Sequence, residues 1–220
     1  MSSHGEHSRK LNQANFLAWR GLFDYIITMR IIAGAKKGMN LLSPRTMVSR
    51  PITDRVKESL FSVLYKYGLP EYAIIADLFC GVGSLGLEAL SRGAKFVTFV
   101  DKDLDIVQTL KKNIAKAGFE HDSKVIKGSA FNIELEIAPA GKKCELVFVD
   151  PPYVKSRETH PGSPLGDLLI SLCDKVTDDG IVIVRTSSEI VLLDNYARLK
   201  LIERRKWGTM NVNILQDTGP

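Results

Sequence analysis

Residues 145–153 read Glu-Leu-Val-Phe-Val-Asp-Pro-Pro-Tyr, and this stretch narrows the possible folds more than any other in the chain. The run from Leu146 to Val149 is short, continuous and apolar, as a parallel strand buried on both faces requires. Pro151 and Pro152 then stop the ladder, because neither has an N–H to donate. Asp150 and Tyr153 are thereby set at the carboxyl edge of a central strand, where open α/β sheets hold their ligands.

A second strand signal, residues 73–79, runs into Cys80-Gly81-Val82-Gly83-Ser84-Leu85-Gly86 and then a helix expected over 87–92. Glycines here let the backbone turn tightly and approach a ligand at a helix N-terminus. The next strand, 96–100, ends at Asp101, twenty residues after Gly81. A glycine turn followed by such an acid binds an adenosine-bearing cofactor, the acid accepting from ribose hydroxyls. The spacing alone fits a dinucleotide or S-adenosylmethionine. Asp77 ahead of the glycines and Asp150-Pro-Pro-Tyr153 after the fourth strand favour the methyl donor, and nothing downstream suggests a hydride acceptor site.

The chemistry suggested is methyl transfer to a planar exocyclic amine. Such a nitrogen is a weak nucleophile because its lone pair is delocalised into the ring. A carboxylate (Asp150) and a backbone carbonyl (Pro151) accepting from the NH2 would draw it toward tetrahedral geometry, and Tyr153 would stack on the base. This is catalysis by positioning more than by proton transfer. The plainer reading is a strand end, a proline turn and an aromatic ring covering the core.

The remaining pattern is that of a doubly wound α/β domain. Helix periodicity is clear from an N-cap at Thr53 or Asp54 to a stop near Gly68-Leu69-Pro70 and over 104–117, and strands are expected near 124–127, 180–185, 199–204 and 210–215, the last two as an antiparallel pair. A helix is expected over 168–175, and the Pro, Gly and Ser-rich residues 154–166 read as a loop over the ligand edge. Ser129-Ala130-Phe131 ends the third strand, where adenine fits between apolar walls, although Phe131 also suits the core.

Of 220 residues, 45% are hydrophobic and 25% charged, enough for one domain with a real core. Cys80, Cys144 and Cys173 lack metal-ligand spacing, which argues against zinc or a disulfide framework and suits a reducing compartment. Residues 1–28 read as a leader, either a disordered tail or a start-site artefact ahead of a natural start at Met29, with neither a membrane span nor a signal peptide. Residues 29–50 read as a basic β-hairpin extension and 51–220 as the main domain. The net charge is +5, yet between Arg30 and Lys57 seven bases oppose only Asp54, a local +6. Such a concentration marks a polyanion partner, with Arg30, Lys36, Lys37, Arg50 and Arg55 as candidate contacts, or else a solvated face.

Four motifs carry a resemblance to a known family: Arg30-Ile-Ile-Ala-Gly34, Arg50-Pro-Ile-Thr-Asp-Arg-Val-Lys-Glu-Ser-Leu-Phe61, Asp77 through Gly93-Ala94, and Asp150-Pro-Pro-Tyr153. From Met29 to about Leu215 the chain resembles the bacterial small-subunit (16S) ribosomal RNA guanine-N2 methyltransferases. The resemblance implies a Rossmann-like class I fold with a seven-stranded, mostly parallel sheet, an antiparallel last strand and helices on both faces. It implies S-adenosylmethionine as donor, S-adenosylhomocysteine as product and no metal. It also implies a guanine of small-subunit rRNA, free or in a particle, as target, and a cytoplasmic monomer. Asp77, Gly81, Gly83 and Asp101 would line the donor site, with Thr53, Phe79, Gly86, Lys102, Ser129, Ala130 and Phe131 completing the candidate set. Asp150, Pro151, Pro152 and Tyr153 would hold the guanine amine. Ser129 stands where related enzymes often carry an acid. Asp-Pro-Pro-Tyr also occurs in adenine-N6 and glutamine-N5 methyltransferases, and a nucleotide-dependent oxidoreductase or an inert RNA-binding module would share the glycine turn.

Overall fold

The computed structural model describes residues 29–43, 52–132, 134–152 and 157–219. Strands β1 (Ile74–Leu78), β2 (Phe96–Asp101), β3 (Ser123–Lys127), β4 (Cys144–Val149) and β5 (Val176–Ser187) are parallel. Three more, β6 (Asn195–Tyr196), β7 (Leu199–Trp207) and β8 (Met210–Asp217), extend the same sheet, β8 antiparallel to β5, β7 to β8 and β6 to β7. The order is β3-β2-β1-β4-β5-β8-β7-β6. The expected mostly parallel sheet is present, with eight strands in place of seven. The extra one, β6, has two residues and is too short to show an alternating pattern.

Period-two alternation divides the core between the two faces. Ile75, Phe99, Leu146, Phe148 and Ile183 pack with α1 (Asp54–Leu64), α2 (Ser84–Ser91) and α3 (Leu104–Ala117). Ala76, Leu78, Val147, Val149 and Val184 pack with α4 (Pro164–Leu172). Each fully buried Leu, Val or Phe contributes about 1.5–3 kcal/mol, so the strands most buried on both faces anchor the domain. Helix α3 is capped by Asp103, whose side chain accepts from Asp105 and Ile106, and it ends at left-handed Gly118. Helix α4 starts four residues before its expected position. Ser163 accepts from the Gly166 N–H at 3.2 Å, and Pro164 stands in the first turn, where its missing N–H costs nothing.

Residues 29–43 fold back on themselves as a short hairpin. Arg30 and Asn40 make one isolated bridge, and the tip is a 3-10 turn, Gly34–Lys36. Across the arm the Ile31 N–H donates to the Met39 carbonyl, the Gly38 N–H to Ile31 and the Leu41 N–H to Met29, while other backbone groups of the arm are bonded to the helices. Ile32 and Ala33 donate to Glu88, Lys36 N–H donates to Ser91, and Leu42 exchanges two hydrogen bonds with Asn113. The arm therefore lies lengthwise on α2 and α3. At its tip, Gly34 (φ +77°) is obligatory, since a Cβ there would sit 1.7 Å from the Ser91 carbonyl oxygen.

Candidate active site

Strand β1 must become helix α2 within a few residues, and the backbone does so through left-handed conformations. Phe79 (φ +60°), Gly81 (φ +55°) and Gly83 (φ +88°) all adopt them. For Phe79 this is strained, and such strain is held only where surroundings fix it. Its ring meets Phe131 edge-on, with centroids 4.8 Å apart. Around the position a Gly81 Cβ would take there is open space, so the turn borders a cleft. The Gly81 N–H donates to Asp101 Oδ2 at 3.0 Å, while Asp101 Oδ1 accepts from the Asp103 N–H at 3.0 Å. Asp101 thus joins the glycine turn to the end of β2 and stays half-buried beside the cleft.

Asp77 is buried under the turn and accepts from the Gly86 N–H at 2.9 Å. Burial pushes its carboxyl up to about 7; the Gly86 hydrogen bond opposes the shift, and the Asp150 and Asp101 charges add to it. Gly86 itself does not face the cleft. A Cβ there would come 2.3 Å from the Phe99 ring, so this glycine serves helix–strand packing.

Asp150 lies one residue beyond β4, on the α1–α3 face of the sheet, with its backbone N–H directed to the Leu78 carbonyl at 3.4 Å. Its side chain is 33% exposed, whereas the guanidinium that pairs with it, Arg185 Nη1, belongs to a side chain only 7% exposed. Burial raises the Asp150 carboxyl, and the Arg185 charge pulls it back. Pro151 is buried and Pro152 exposed. Sequence reasoning missed Arg185 as a site residue. Its signal was a charged residue closing an apolar strand, the same pattern that singled out Asp150.

The other candidates scatter. Ser129 is exposed and accepts from the Phe131 N–H at 3.3 Å, with Ala130 buried between them. Lys102 is exposed beside Asp101. Thr53 spends its hydroxyl on the α1 cap, accepting from Val56 N–H at 3.4 Å, and Arg55 in the first turn is exposed. Arg30 pairs with Asp54 at 2.7 Å. Lys36 lies over the Phe119 ring at 5.7 Å, past the end of α3, and Lys37 follows it exposed. The basic tip is therefore at the far end of α2 and α3 from the glycine turn, the length of α2 alone being about 12 Å. Tyr153 and Arg50 lie outside the described residues.

The residues present fit an adenosine-bearing donor: an open glycine turn at a helix start, a carboxylate at the next strand end, and an aromatic pair beside it. A family model described as "Conserved hypothetical protein 95" matches residues 29–216. YlbH of Bacillus subtilis, named provisionally for rRNA methylation, is 30% identical over 194 residues, 87% of this chain and 100% of YlbH. Ribosomal RNA small subunit methyltransferase D of Escherichia coli is 39% identical over 127 residues, 57% of this chain and 60% of that protein. The solved structure of Escherichia coli YhhF superposes with a TM-score of 0.71 at 30% identity, covering 86% of this chain and 98% of YhhF.

Proposed function

Since the chain belongs to the conserved hypothetical protein 95 family, with relatives named as ribosomal RNA methyltransferases, we propose that it transfers a methyl group from S-adenosylmethionine to the exocyclic N2 amine of a guanine in small-subunit rRNA. The observation that carries this reading is Asp150 at the end of β4, one strand from the glycine turn, with its side chain 33% exposed.

S-adenosylmethionine supplies an electrophilic methyl on sulfur. Gly81, Gly83 and Asp101 would hold it, with Phe79, Ala130 and Phe131 against its adenine. Asp150 and the Pro151 carbonyl accept from the guanine NH2, weakening its conjugation, and Tyr153 stacks on the ring. Extruding a base costs a few kcal/mol, so an unpaired or incompletely packed RNA segment is the fitting substrate. Incubation of labelled donor with small-subunit particles lacking the modification, naked rRNA, duplex DNA and protein fractions tests the assignment. Label mapped to a guanine N2 supports it; label only in DNA or protein overturns it.

Two smaller predictions follow from placement. A cationic amino-acid end of the donor near Asp77 favours the ionised carboxyl, so binding should release a proton below about pH 7 and weaken as pH falls. Calorimetry in buffers of differing ionisation enthalpy reads this directly, and Asp77→Asn should abolish it. In the unliganded protein the sign is set by the same shift: the folded state holds the Asp77 proton up to about 7 and the unfolded chain does not, so this carboxyl's contribution to stability falls as pH rises through that value. Reversing Lys36 and Lys37 together to Glu should raise the RNA Michaelis constant and leave kcat unchanged, because phosphate contacts at that distance position without reacting.

A further inference from the structure

The pair register between β4 and β5 sets two side chains together that lie far apart in sequence. Val149 is opposite Val184, so the next residues, Asp150 just past β4 and Arg185 within β5, stand side by side on the face of Phe148 and Ile183. Arg185 Nη1 donates to Asp150 Oδ2, while Arg185 Nε is buried without an acceptor among the described residues. Among the described residues the guanidinium is thus spent on Asp150 and is not shared with a backbone carbonyl in the way Arg198 and Arg204 are.

We propose that Arg185 is a positioning residue for methyl transfer: it fixes Asp150 Oδ2 from the protein side and leaves Oδ1 as the single acceptor facing the substrate amine. This rests on the functional reading above. A carboxylate with both oxygens free would grip two neighbouring N–H groups of a purine edge in its own plane. With one oxygen held, only one N–H is accepted by Asp150 and the second is left for the Pro151 carbonyl, the two-acceptor arrangement that pulls an amine out of conjugation. The Arg185 charge also favours the ionised carboxyl. The charged groups facing Asp150 are Arg185 from β5 and Asp77 from β1, with Asp101 of β2 behind Asp77. Burial favours the protonated form of Asp150, and the Arg185 charge opposes it.

The test compares wild type, Arg185→Met and Arg185→Lys by single-turnover methylation of small-subunit particles across pH, and by carboxyl carbon NMR titration of Asp150 without ligand. Arg185→Met should lower kcat about 100-fold, the cost of a small misplacement of a reacting group. RNA Michaelis constant and S-adenosylhomocysteine affinity should hold. Its acid limb and the Asp150 titration should both move to higher pH, and Arg185→Lys should move them back. Should the Met variant not fold, Arg185→Gln, which keeps a donor and loses the charge, makes the same comparison. A wild-type pH profile and Asp150 titration in the uncharged variant overturn the proposal. Wild type that methylates no RNA overturns the functional reading instead, and the ligand-free titration still decides whether Arg185 holds Asp150 ionised.

Discussion

Asp150→Ala is expected to lower kcat by about 10²–10³-fold, the usual loss when one hydrogen-bonding group at the reacting centre is removed. The amine would keep the Pro151 carbonyl but lose the anionic acceptor that localises its lone pair. Affinity for S-adenosylhomocysteine should change little, because the glycine turn is held by Asp101 and Asp77, not by Asp150. The Ala variant also strands Arg185, 6% exposed, with no counter-charge. Some stability is therefore lost too, and Asp150→Asn, which keeps an oxygen for the guanidinium, separates the two effects. Asn should be the more stable variant and still be slow. Turnover within threefold of wild type in the Ala variant would remove Asp150 from the chemistry.

The largest stability effect is expected at Glu88, far from any methyl group. Its carboxylate, with no exposed surface, accepts from Ile32 N–H at 2.7 Å, Ala33 N–H at 3.0 Å and Arg92 Nε at 2.7 Å, and lies 3.5 Å from Lys57 Nζ. Lys57 is itself buried and reaches the Arg30 carbonyl at 2.6 Å and Ser84 Oγ at 3.3 Å, at the start of α2. Glu88→Ala would leave buried Lys57 without its anion, Arg92 with only Glu58, and two backbone N–H groups unpaired. A loss of about 3–5 kcal/mol is expected, the cost of breaking a buried pair from one side, read as a lower urea midpoint. Burial already lowers the Lys57 pKa, and Glu88 is the main group raising it. Without Glu88 it falls further. The unfolded chain then holds the Lys57 proton over a wider pH range than the folded one, so stability of the variant should recover in part as pH rises. A change below about 1 kcal/mol would mean that the arm is held by its apolar side chains alone.

Much of the architecture was legible because it depends on local pattern. Continuous apolar runs marked β1, β2, β4 and β5, helical periodicity marked α1 and α3, and the bounds read for α3 match those observed. The Ser163-Pro164 start of α4 was also present in the sequence, but apolar periodicity read by itself set that helix too late. The basic segment was recognised by charge, while its course was not. Glu88 looked like one more polar helix residue, and nothing near it in sequence revealed that the arm's backbone would take its oxygens in place of a strand partner.

The candidate site divides in the same way. Asp150, the two prolines and the glycine turn identify themselves, because prolines end a ladder and left-handed turns favour glycine. Gly86 shows the limit of that reasoning: its spacing matches a cofactor glycine, yet its missing Cβ makes room for Phe99. Arg185 is 35 residues from Asp150, and their meeting depends on which strands are neighbours and in what register. Those choices are fixed by burying both faces of a whole sheet at once. The chain alone therefore determined which chemical groups stand at strand ends, and only the folded sheet decided which of them touch.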